Sequence, residues 1–394
     1  MKSTTTLILG GGFGGISAAN SLRPLLPREH EIVVIDKSRD FHIGAGKTWI
    51  MLGDKTREQI SRPRTDLLVP GIRLVQTEVT RIDLTQRSVA AENETLHWDF
   101  LVLALGADLD SSGIPGLVEA GHTFYTMEGA ERLRGVLESF AGGDLAILIP
   151  KTPFKCPPAP YEAAMLLHHA LAARGLGEKA RLAIYTVEGA PMPTAGAEMG
   201  EYIRGELEQR AIAYHPRKKA TRVDGATQRI SFEDGSEAGY DLLIAIPPHV
   251  APKVARDAKL TNAAGWIPAD PLTLKAISIP EPHEVYAIGD LAVVALPGRY
   301  KPDEALALPK AGVFAEAHGR VVAHQIAAKI LGRTPDQRFD GKGFCYLEVG
   351  SGKAVKGEGS FFNLPHPVMQ RQIPDERQFR DKLAWVDNHL RPGG

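Results

Sequence analysis

The chain has 394 residues, of which 43% are hydrophobic and 24% are charged, an ordinary balance for a globular protein of two or three domains. A net charge of −1 and the lack of a basic stripe argue against nucleic acid as a partner. The first predicted strand begins at Thr5 and no apolar run approaches the roughly 18 residues of a membrane span, so we expect a cytoplasmic protein.

The N-terminal segment predicts a dinucleotide-binding unit. An apolar strand over 4–9 leads into a glycine-rich turn and a helix of small residues. Gly10 permits the tight turn, Gly12 lets the backbone approach a pyrophosphate, and Gly15 allows close packing of helix on strand. The next strand ends in Asp36, which can accept a hydrogen bond from a ribose hydroxyl. An acid at this position argues against a 2′-phosphate.

Three later segments supply the other candidate cofactor-binding residues. They are a strand that closes on a small-residue turn, a strand that ends in Gly-Asp, and the start of a long helix over 313–331. Their candidate residues are Ala104, Gly106, Gly289, Asp290, Lys310 and Ala311. Together these segments resemble the flavoprotein family with two dinucleotide-binding domains. The resemblance implies FAD, with Asp290 on the ribityl chain and with Lys310 and the helix N-terminus at the flavin pyrimidine, where they stabilise negative charge. The alternative for Asp290 is a helix cap.

A middle unit, roughly 111–270, has predicted strands at 146–149, 181–186 and 240–246. In pyridine-nucleotide-dependent members of the family this unit repeats the glycine fingerprint. Here the first strand is followed by a proline-rich loop that carries Cys156. Proline lacks the N–H that holds a phosphate, so NAD(P)H binding in this unit is disfavoured.

The chain contains two cysteines, Cys156 and Cys345. In a cytosolic protein two cysteines are too few for a structural disulfide framework, so they are either buried free thiols or a redox-active pair. We predict no metal site.

The segments around the cysteines resemble a narrower family. Pro153-Phe-Lys-Cys156-Pro-Pro-Ala-Pro-Tyr-Glu162 and Gly343-Phe-Cys345-Tyr-Leu-Glu348 are similar to the redox-cysteine motifs of flavin sulfide dehydrogenases. These are the sulfide:quinone oxidoreductases and the flavoprotein subunit of flavocytochrome c sulfide dehydrogenase. The resemblance extends from Thr5 to about Phe362 and implies that hydrosulfide attacks a Cys156–Cys345 disulfide and leaves a persulfide and a thiolate.

Three charged residues near Cys156 each have two interpretations. Lys151 and Lys155 either favour hydrosulfide and thiolate or point to solvent. Glu162 is either a proton acceptor in catalysis or an acidic residue in the first turn of a helix.

The chain departs from the family pattern in two places. Many sulfide:quinone oxidoreductases carry a third cysteine, but the comparable stretch, 122–129, has none. The flavocytochrome attaches its flavin through a cysteine in the loop after the second strand, and the corresponding loop, 41–47, also has none. A two-cysteine mechanism and non-covalent FAD are therefore implied.

The C-terminal segment predicts an amphipathic helix within 374–390. Its apolar residues are Phe379, Leu383, Val386 and Leu390, and its basic flanks are Arg377, Arg380, Lys382 and Arg391. One interpretation is an interfacial helix on the inner face of the plasma membrane, with Phe361 and Phe362 near a quinone. The other is an ordinary helix packed on the flavin domain or in a dimer contact.

We therefore predict an α/β protein with two Rossmann-like three-layer dinucleotide-binding domains and a short C-terminal amphipathic region. The FAD domain comprises 1–110 and 271–340, the second domain 111–270, and the C-terminal segment 341–394. The predicted enzyme oxidises sulfide through Cys156 and Cys345 and reduces a quinone. Open alternatives are a cytochrome c acceptor, an NAD(P)H:quinone reductase, and a non-enzymatic flavin-stabilised interaction protein. Homo-oligomers also remain open.

Overall fold

The computed structural model describes residues 3–92, 94–279 and 283–392. Its α-helices are α1 (Phe13–Leu22), α2 (Lys47–Leu52), α3 (Arg64–Leu67), α4 (Leu117–Ala120), α5 (Met127–Ser139), α6 (Ala159–Ala173), α7 (Ala197–Glu208), α8 (Lys253–Asp257), α9 (Gly312–Ile330) and α10 (Glu376–His389).

The strands of the N-terminal part are β1 (Thr5–Leu9), β2 (Glu31–Ile35), β3 (Asp40–His42), β4 (Ser61–Pro63), β5 (Arg73–Val75), β6 (Val79–Asp83), β7 (Ser88–Ala91), β8 (Glu94–His97), β9 (Phe100–Leu103) and β10 (Asp108–Leu109). The strands of the middle part are β11 (Gly143–Ile149), β12 (Ala180–Thr186), β13 (Ala213–His215), β14 (Ala220–Asp224), β15 (Arg229–Phe232), β16 (Glu237–Gly239), β17 (Leu242–Ala245) and β18 (His249–Val250). Those of the C-terminal part are β19 (Ile267–Ala269), β20 (Val285–Ala287), β21 (Ala292–Val294), β22 (Lys342–Gly350), β23 (Lys353–Ser360) and β24 (Val368–Arg371).

The first structural unit is a parallel sheet with the strand order β20–β9–β1–β2–β5. Leu7, Ile8 and Leu9 of β1 are fully buried in its centre. Strands buried on both faces are continuous apolar runs in the sequence, and this is why the sequence predicts them. The sheet joins β20 to strands of the first 110 residues, as the prediction assumed. The domain boundaries themselves stay a prediction.

The middle unit repeats this plan. Its parallel sheet has the order β13–β12–β11–β17, and α6 follows β11 as the crossover helix. Each unit also carries a three-stranded antiparallel sheet, β6–β7–β8 in the first and β14–β15–β16 in the second. Two parallel sheets with helical crossovers confirm the predicted α/β fold class.

Helices α1 and α9 cross at very short range. A Cβ atom at Gly319 of α9 would lie 2.5 Å from the carbonyl oxygen of Gly14 in α1, so only glycine fits there. A Cβ atom at Gly312, the first residue of α9, would lie 2.9 Å from the Phe13 ring. The N-termini of both helices are therefore neighbours, and they open on the same side of the first sheet.

The C-terminal segment forms an antiparallel sheet, β22–β23–β24, followed by α10. The apolar face of α10 packs on the protein core, with Val386 and Leu390 buried. This is the packed alternative of the two interpretations for 374–390. Among the helices within the described ranges, none combines the length and the apolar composition needed to cross a bilayer.

Candidate active site

A cavity of about 920 Å³ lies where the two units and the C-terminal sheet meet. Its wall includes the starts of α1 and α9, the loop between β11 and α6, strand β22 and part of α10. This volume is within the range of cofactor and ligand sites.

The glycine-rich turn after β1 forms one end of this cavity. Gly10 has φ +101°, and a Cβ atom there would lie 2.3 Å from the carbonyl oxygen of Ala104. A Cβ atom at Gly15 would lie 1.8 Å from the carbonyl oxygen of Gly10, so both positions require glycine. Gly12 instead borders the cavity, and a Cβ atom there would meet nothing within 4 Å. No side chain caps α1 at Gly12, so its first N–H groups remain open to an anionic group.

Asp36 is near this turn but is not part of the cavity wall. Its Oδ2 accepts a hydrogen bond from Gly11 N at 2.7 Å and lies 3.3 Å from the Arg64 guanidinium. Its Oδ1 accepts from Ser38 N at 2.8 Å. Arg64, which sequence reasoning missed, is buried, lines the cavity and donates to the Gly11 carbonyl at 2.8 Å. The contact of Asp36 with a ribose hydroxyl stays a prediction.

The other predicted cofactor-binding residues border the centre of the cavity. Ala104, Gly106, Gly289, Asp290, Lys310 and Ala311 all belong to its wall. Gly289–Leu291 is a 3₁₀ helix that begins one residue after β20, so Asp290 does not cap an α-helix. Helix α9 starts after the extended residue Ala311 without a side-chain cap, and its open N–H groups face the cavity.

Lys310 is held rigidly beside Asp290. Its ammonium donates to the backbone carbonyl oxygens of Asp290 and Ala292 and lies 3.5 Å above the Trp266 ring. Burial lowers the pKa of Lys310 to about 8, although the Asp290 charge opposes this shift. Two uncapped helix N-termini and a buried lysine suit the phosphates and the electron-rich ring of a flavin dinucleotide, so the residues present fit this cofactor.

Cys156 is fixed by backbone hydrogen bonds in the loop between β11 and α6. Its φ of +55° is in the left-handed region, which is uncommon for a residue with a side chain. Cys156 N donates to the carbonyl oxygen of Lys310 at 2.8 Å, and Ala159 N donates to the Cys156 carbonyl at 2.9 Å. The loop that carries the cysteine is thus tied directly to the start of α9.

Cys345 reaches the same cavity from β22, where it pairs with Gly357 of β23. Burial, followed by the negative charge of Glu162, raises the pKa of the Cys156 thiol to about 12 and that of Cys345 to about 11. A thiolate at Cys345 also raises the pKa of Cys156. Cys156 and Cys345 line the same cavity.

Behind the cysteines lies a buried ionic cluster that we call the acid–lysine triad: Glu162, Glu348 and Lys382. The Lys382 ammonium donates to both carboxylates and is 3.0 Å from Glu162 Oε1. Glu162 also accepts from Glu348 N at 2.9 Å, and Trp49 Nε1 donates to Glu348 at 2.8 Å. Burial raises the pKa of Glu162, although Lys382 opposes this shift. The sequence places Lys382 among the basic flanks of the C-terminal helix, but only 2% of this residue is exposed, so it is not free for a surface contact.

The wall next to the Cys156 loop contains one more buried acid, which sequence reasoning missed. Glu188 accepts a hydrogen bond from the Tyr161 hydroxyl at 2.6 Å, and burial raises its pKa to about 7. Of the two loop lysines, Lys155 lines the cavity and Lys151 is exposed. The position of Glu188 just past the end of β12 was the available signal.

Two family models match the chain. The model of the pyridine nucleotide-disulphide oxidoreductases matches residues 4–147, and the model of the central part of the flavocytochrome c sulfide dehydrogenase flavoprotein chain matches residues 130–247. The two matches together include the parallel sheet of the middle unit and most of that of the first unit.

Among curated relatives, the mitochondrial sulfide:quinone oxidoreductase of Mus musculus is 23% identical over 91% of this chain and 78% of its own length. The sulfide-quinone reductase of Aquifex aeolicus is 26% identical over 96% of this chain and 87% of its own length. A type II NADH:quinone oxidoreductase of Staphylococcus haemolyticus is 24% identical over 89% of both chains.

The fold is also similar to that of a solved structure. The X-ray structure of the sulfide:quinone oxidoreductase from Aquifex aeolicus superposes with a TM-score of 0.87 at 22% identity, covering 100% of this chain and 92% of the other. These matches confirm the predicted resemblance and the two-domain dinucleotide-binding fold, and they imply a flavin as cofactor.

Proposed function

We propose that this chain is a member of the family of sulfide:quinone oxidoreductases and flavocytochrome c sulfide dehydrogenase flavoproteins, and that it oxidises sulfide and delivers the electrons to a quinone. The observation that carries the proposal is the placement of Cys156 and Cys345 on the wall of one cavity, into which the N-termini of α1 and α9 open. Two relatives whose names specify sulfide and quinone are similar over more than 90% of this chain.

The cofactor in this proposal is FAD held without a covalent bond. The residues that would hold it are the start of α1, whose open N–H groups would bind the diphosphate, Asp290 for the ribityl chain, and Lys310 with the start of α9 for the flavin ring. The loop 41–47 offers no cysteine for covalent attachment. A flavin held by these residues would supply a two-electron acceptor for the cysteine chemistry.

The sulfur chemistry takes place on the two cysteines. In the oxidised protein their sulfurs form a disulfide, and hydrosulfide attacks one of them. A new S–S bond forms on the attacked cysteine as a persulfide, while the old S–S bond breaks and the other sulfur leaves as a thiolate with the electron pair. In the overall balance hydrosulfide loses two electrons and one proton, and the quinone gains two electrons and two protons, the second of which comes from solvent.

Glu162 is the proposed proton acceptor for the hydrosulfide. Its charge acts on both cysteine sulfurs, and Lys382 holds its carboxylate in place. Because burial raises the pKa of Glu162, this carboxylate takes up a proton more readily than an exposed one.

An NADH:quinone reductase is the second candidate, since the similarity to the Staphylococcus haemolyticus enzyme also extends over most of the chain. Pro153, Pro157 and Pro158 argue against it, because they remove N–H donors from the loop where a second dinucleotide phosphate would bind. A cytochrome c acceptor, attachment to the inner face of the membrane and a homo-oligomer stay predictions.

Stopped-flow absorbance separates the candidates. The purified protein is mixed without oxygen with sulfide and, separately, with NADH, and a quinone is added after reduction. We expect rapid bleaching of the flavin band by sulfide, little by NADH, and recovery of the band on addition of the quinone. Bleaching by NADH but not by sulfide would contradict the proposal. If the flavin band recovers on addition of cytochrome c but not of the quinone, the acceptor is cytochrome c.

A further inference from the structure

Arg64 is a buried cation at the end of the cavity that the glycine-rich turn forms. It is the first residue of α3, lines the cavity and is only 7% exposed. Gly12, the uncapped residue before α1, borders the same cavity. The proposed function assigns the start of α1 to the cofactor diphosphate but gives Arg64 no role. A buried guanidinium is costly unless acceptors are found for its five N–H groups.

Most of these N–H groups bind the backbone around the turn. A Cβ atom at Gly11 would lie 2.7 Å from both Cδ and Nε of Arg64, so the arginine stem packs directly on this glycine. Nε donates to the Gly11 carbonyl oxygen at 2.8 Å, and Nη1 donates to the carbonyl oxygens of Ser38 and Asp40. Arg64 therefore joins the turn after β1 to the segment after β2.

The remaining nitrogen, Nη2, lies 3.3 Å from Oδ2 of Asp36. This carboxylate also accepts hydrogen bonds from the backbone N–H groups of Gly11 and Ser38. Nη2 carries two hydrogens, and the contact with Asp36 uses at most one of them. No further acceptor is hydrogen-bonded to Nη2 among the residues that the structure describes. Arg64 thus keeps a donor at the cavity wall for a bound molecule.

This donor lies where the ADP moiety of the proposed cofactor would bind. Asp36 is the predicted partner of a ribose hydroxyl, and the start of α1 is the proposed partner of the diphosphate. Arg64 contacts Asp36 and packs on Gly11, the residue directly before Gly12, so it lies between the two. Guanidinium hydrogen bonds to anionic oxygens are roughly twice as strong as bonds between neutral groups. The ADP moiety would therefore supply the acceptor and the negative charge that the protein does not.

We propose that Arg64 is a specificity-determining residue that recognises the ADP moiety of FAD and so makes the site select FAD over FMN. FMN contains the same flavin ring and ribityl chain but lacks the adenosine and the second phosphate. This role rests on the proposed FAD site and does not depend on the sulfide reaction. A purely structural Arg64, which only joins the turn to its neighbouring segment, would support the binding of both flavins equally.

The test compares FAD and FMN binding by the full chain after removal of its flavin. Dissociation constants for both flavins are measured by isothermal titration calorimetry in wild type, Arg64→Met, Arg64→Lys and Arg62→Met. Methionine keeps an unbranched stem over Gly11 and removes every donor, whereas lysine keeps the charge and loses Nη2. Arg62 is an exposed arginine of β4 and serves as the matched control.

We expect Arg64→Met to weaken FAD binding by about ten- to hundredfold, as for loss of a hydrogen bond to a charged group, while FMN binding stays near the wild-type value. Arg64→Lys should weaken FAD binding by less, and Arg62→Met should bind both flavins like wild type. Unchanged FAD binding in Arg64→Met, or an equal loss for both flavins, would overturn the role of Arg64. If Arg64→Met does not fold, the same comparison in Arg64→Lys decides.

The sulfide reaction is scored separately by bleaching of the wild-type holoenzyme. If sulfide bleaches wild type while the Arg64 variants weaken both flavins equally, the role of Arg64 fails and the proposed function stands. If FAD binding alone is weakened but sulfide does not bleach wild type, the sulfide reaction fails and Arg64 remains a determinant of FAD binding. A wild-type chain that binds neither flavin would overturn both.

Discussion

Among the single residues, Lys382 is the shared counter-ion of two buried carboxylates near the cysteines. It is shared by Glu162 and Glu348, and all three side chains are buried. Burial alone would lower the pKa of Lys382, but the two carboxylates outweigh that effect and raise it. The ammonium therefore remains charged in the folded protein.

Replacing Lys382 with methionine should destabilise the protein by about 3 to 5 kcal/mol, because it leaves two buried carboxylates without a counter-ion. The measurement is the shift in thermal unfolding temperature relative to wild type. Arg380→Met, at an exposed position of the same helix, is the matched control. The double variant Lys382→Met with Glu348→Gln should recover part of the loss. Wild-type stability of Lys382→Met would show that Lys382 is not needed as the counter-ion of the two carboxylates.

Glu188 predicts a specific pH dependence of stability. Burial raises its pKa to about 7 from the ordinary 4.5, so the folded state binds its proton more tightly than the unfolded state. The resulting stabilisation is complete below about pH 4.5 and is lost as the pH rises through about 7. Glu188→Gln keeps an acceptor for the Tyr161 hydroxyl but does not titrate.

Between pH 5 and pH 8, wild type should therefore lose up to about 3 kcal/mol of stability relative to Glu188→Gln. Thermal unfolding of both proteins at the two pH values measures the difference. Glu198→Gln, at an exposed position, should follow wild type at both. A constant gap between wild type and Glu188→Gln would show that Glu188 has no raised pKa.

Individual site residues differed in how well the sequence predicted them. Cys156, Cys345 and Glu162 were recognisable because they lie in motifs with distinctive neighbours. Lys382 looked like a surface residue because it lies among Arg377, Arg380 and other charged residues of an amphipathic helix. Its carboxylate partners come from distant elements, and no local pattern encodes such a contact.

At the scale of elements, α10 closes the cavity beside the glycine-rich turn. Trp385 of α10 lines the cavity and stacks on Phe13 of α1, with ring centroids 5.6 Å apart. His389 contacts the same phenyl ring and lies 3.2 Å from Glu316 of α9. The C-terminal helix thus contacts the first turns of α1 and α9, the two helices that we propose bind FAD.

Trp385→Ala should accelerate release of the flavin by about two- to tenfold, since one aromatic contact of this kind contributes about 0.5 to 1.5 kcal/mol. Fluorescence of the flavin released after dilution measures the rate. Trp385→Phe, which keeps an aromatic ring over Phe13, should release flavin at nearly the wild-type rate. Equal rates in Trp385→Ala and wild type would show that the helix does not retain the cofactor.

The elements that the sequence predicted well are the buried parallel strands and the long helices. The predicted helix over 313–331 is α9, displaced by one residue, and the predicted strand 181–186 is β12, with one further residue. The antiparallel sheets β6–β7–β8 and β14–β15–β16 were not predicted. Their strands have three to five residues each, and cross-strand partners rather than local sequence stabilise them.

At the scale of the whole molecule, the candidate site exists only because three regions meet. The first unit contributes two helix N-termini, the middle unit contributes Cys156, and the C-terminal sheet contributes Cys345. Sequence motifs identified each region, but their convergence depends on long-range packing. The resemblance to a known family implied that Cys156 and Cys345 act as a pair. The structure places both cysteines on the wall of one cavity.

In the proposed reaction, electrons from sulfide reach the flavin through Cys156 and Cys345. The most direct measurement is anaerobic stopped-flow absorbance of wild type, Cys156→Ser and Cys345→Ser after mixing with sulfide, with dithionite reduction as proof that each variant holds intact flavin. We expect bleaching by sulfide in wild type and its loss in both variants, while dithionite bleaches all three. Bleaching at the wild-type rate in either variant would contradict a mechanism that uses both cysteines.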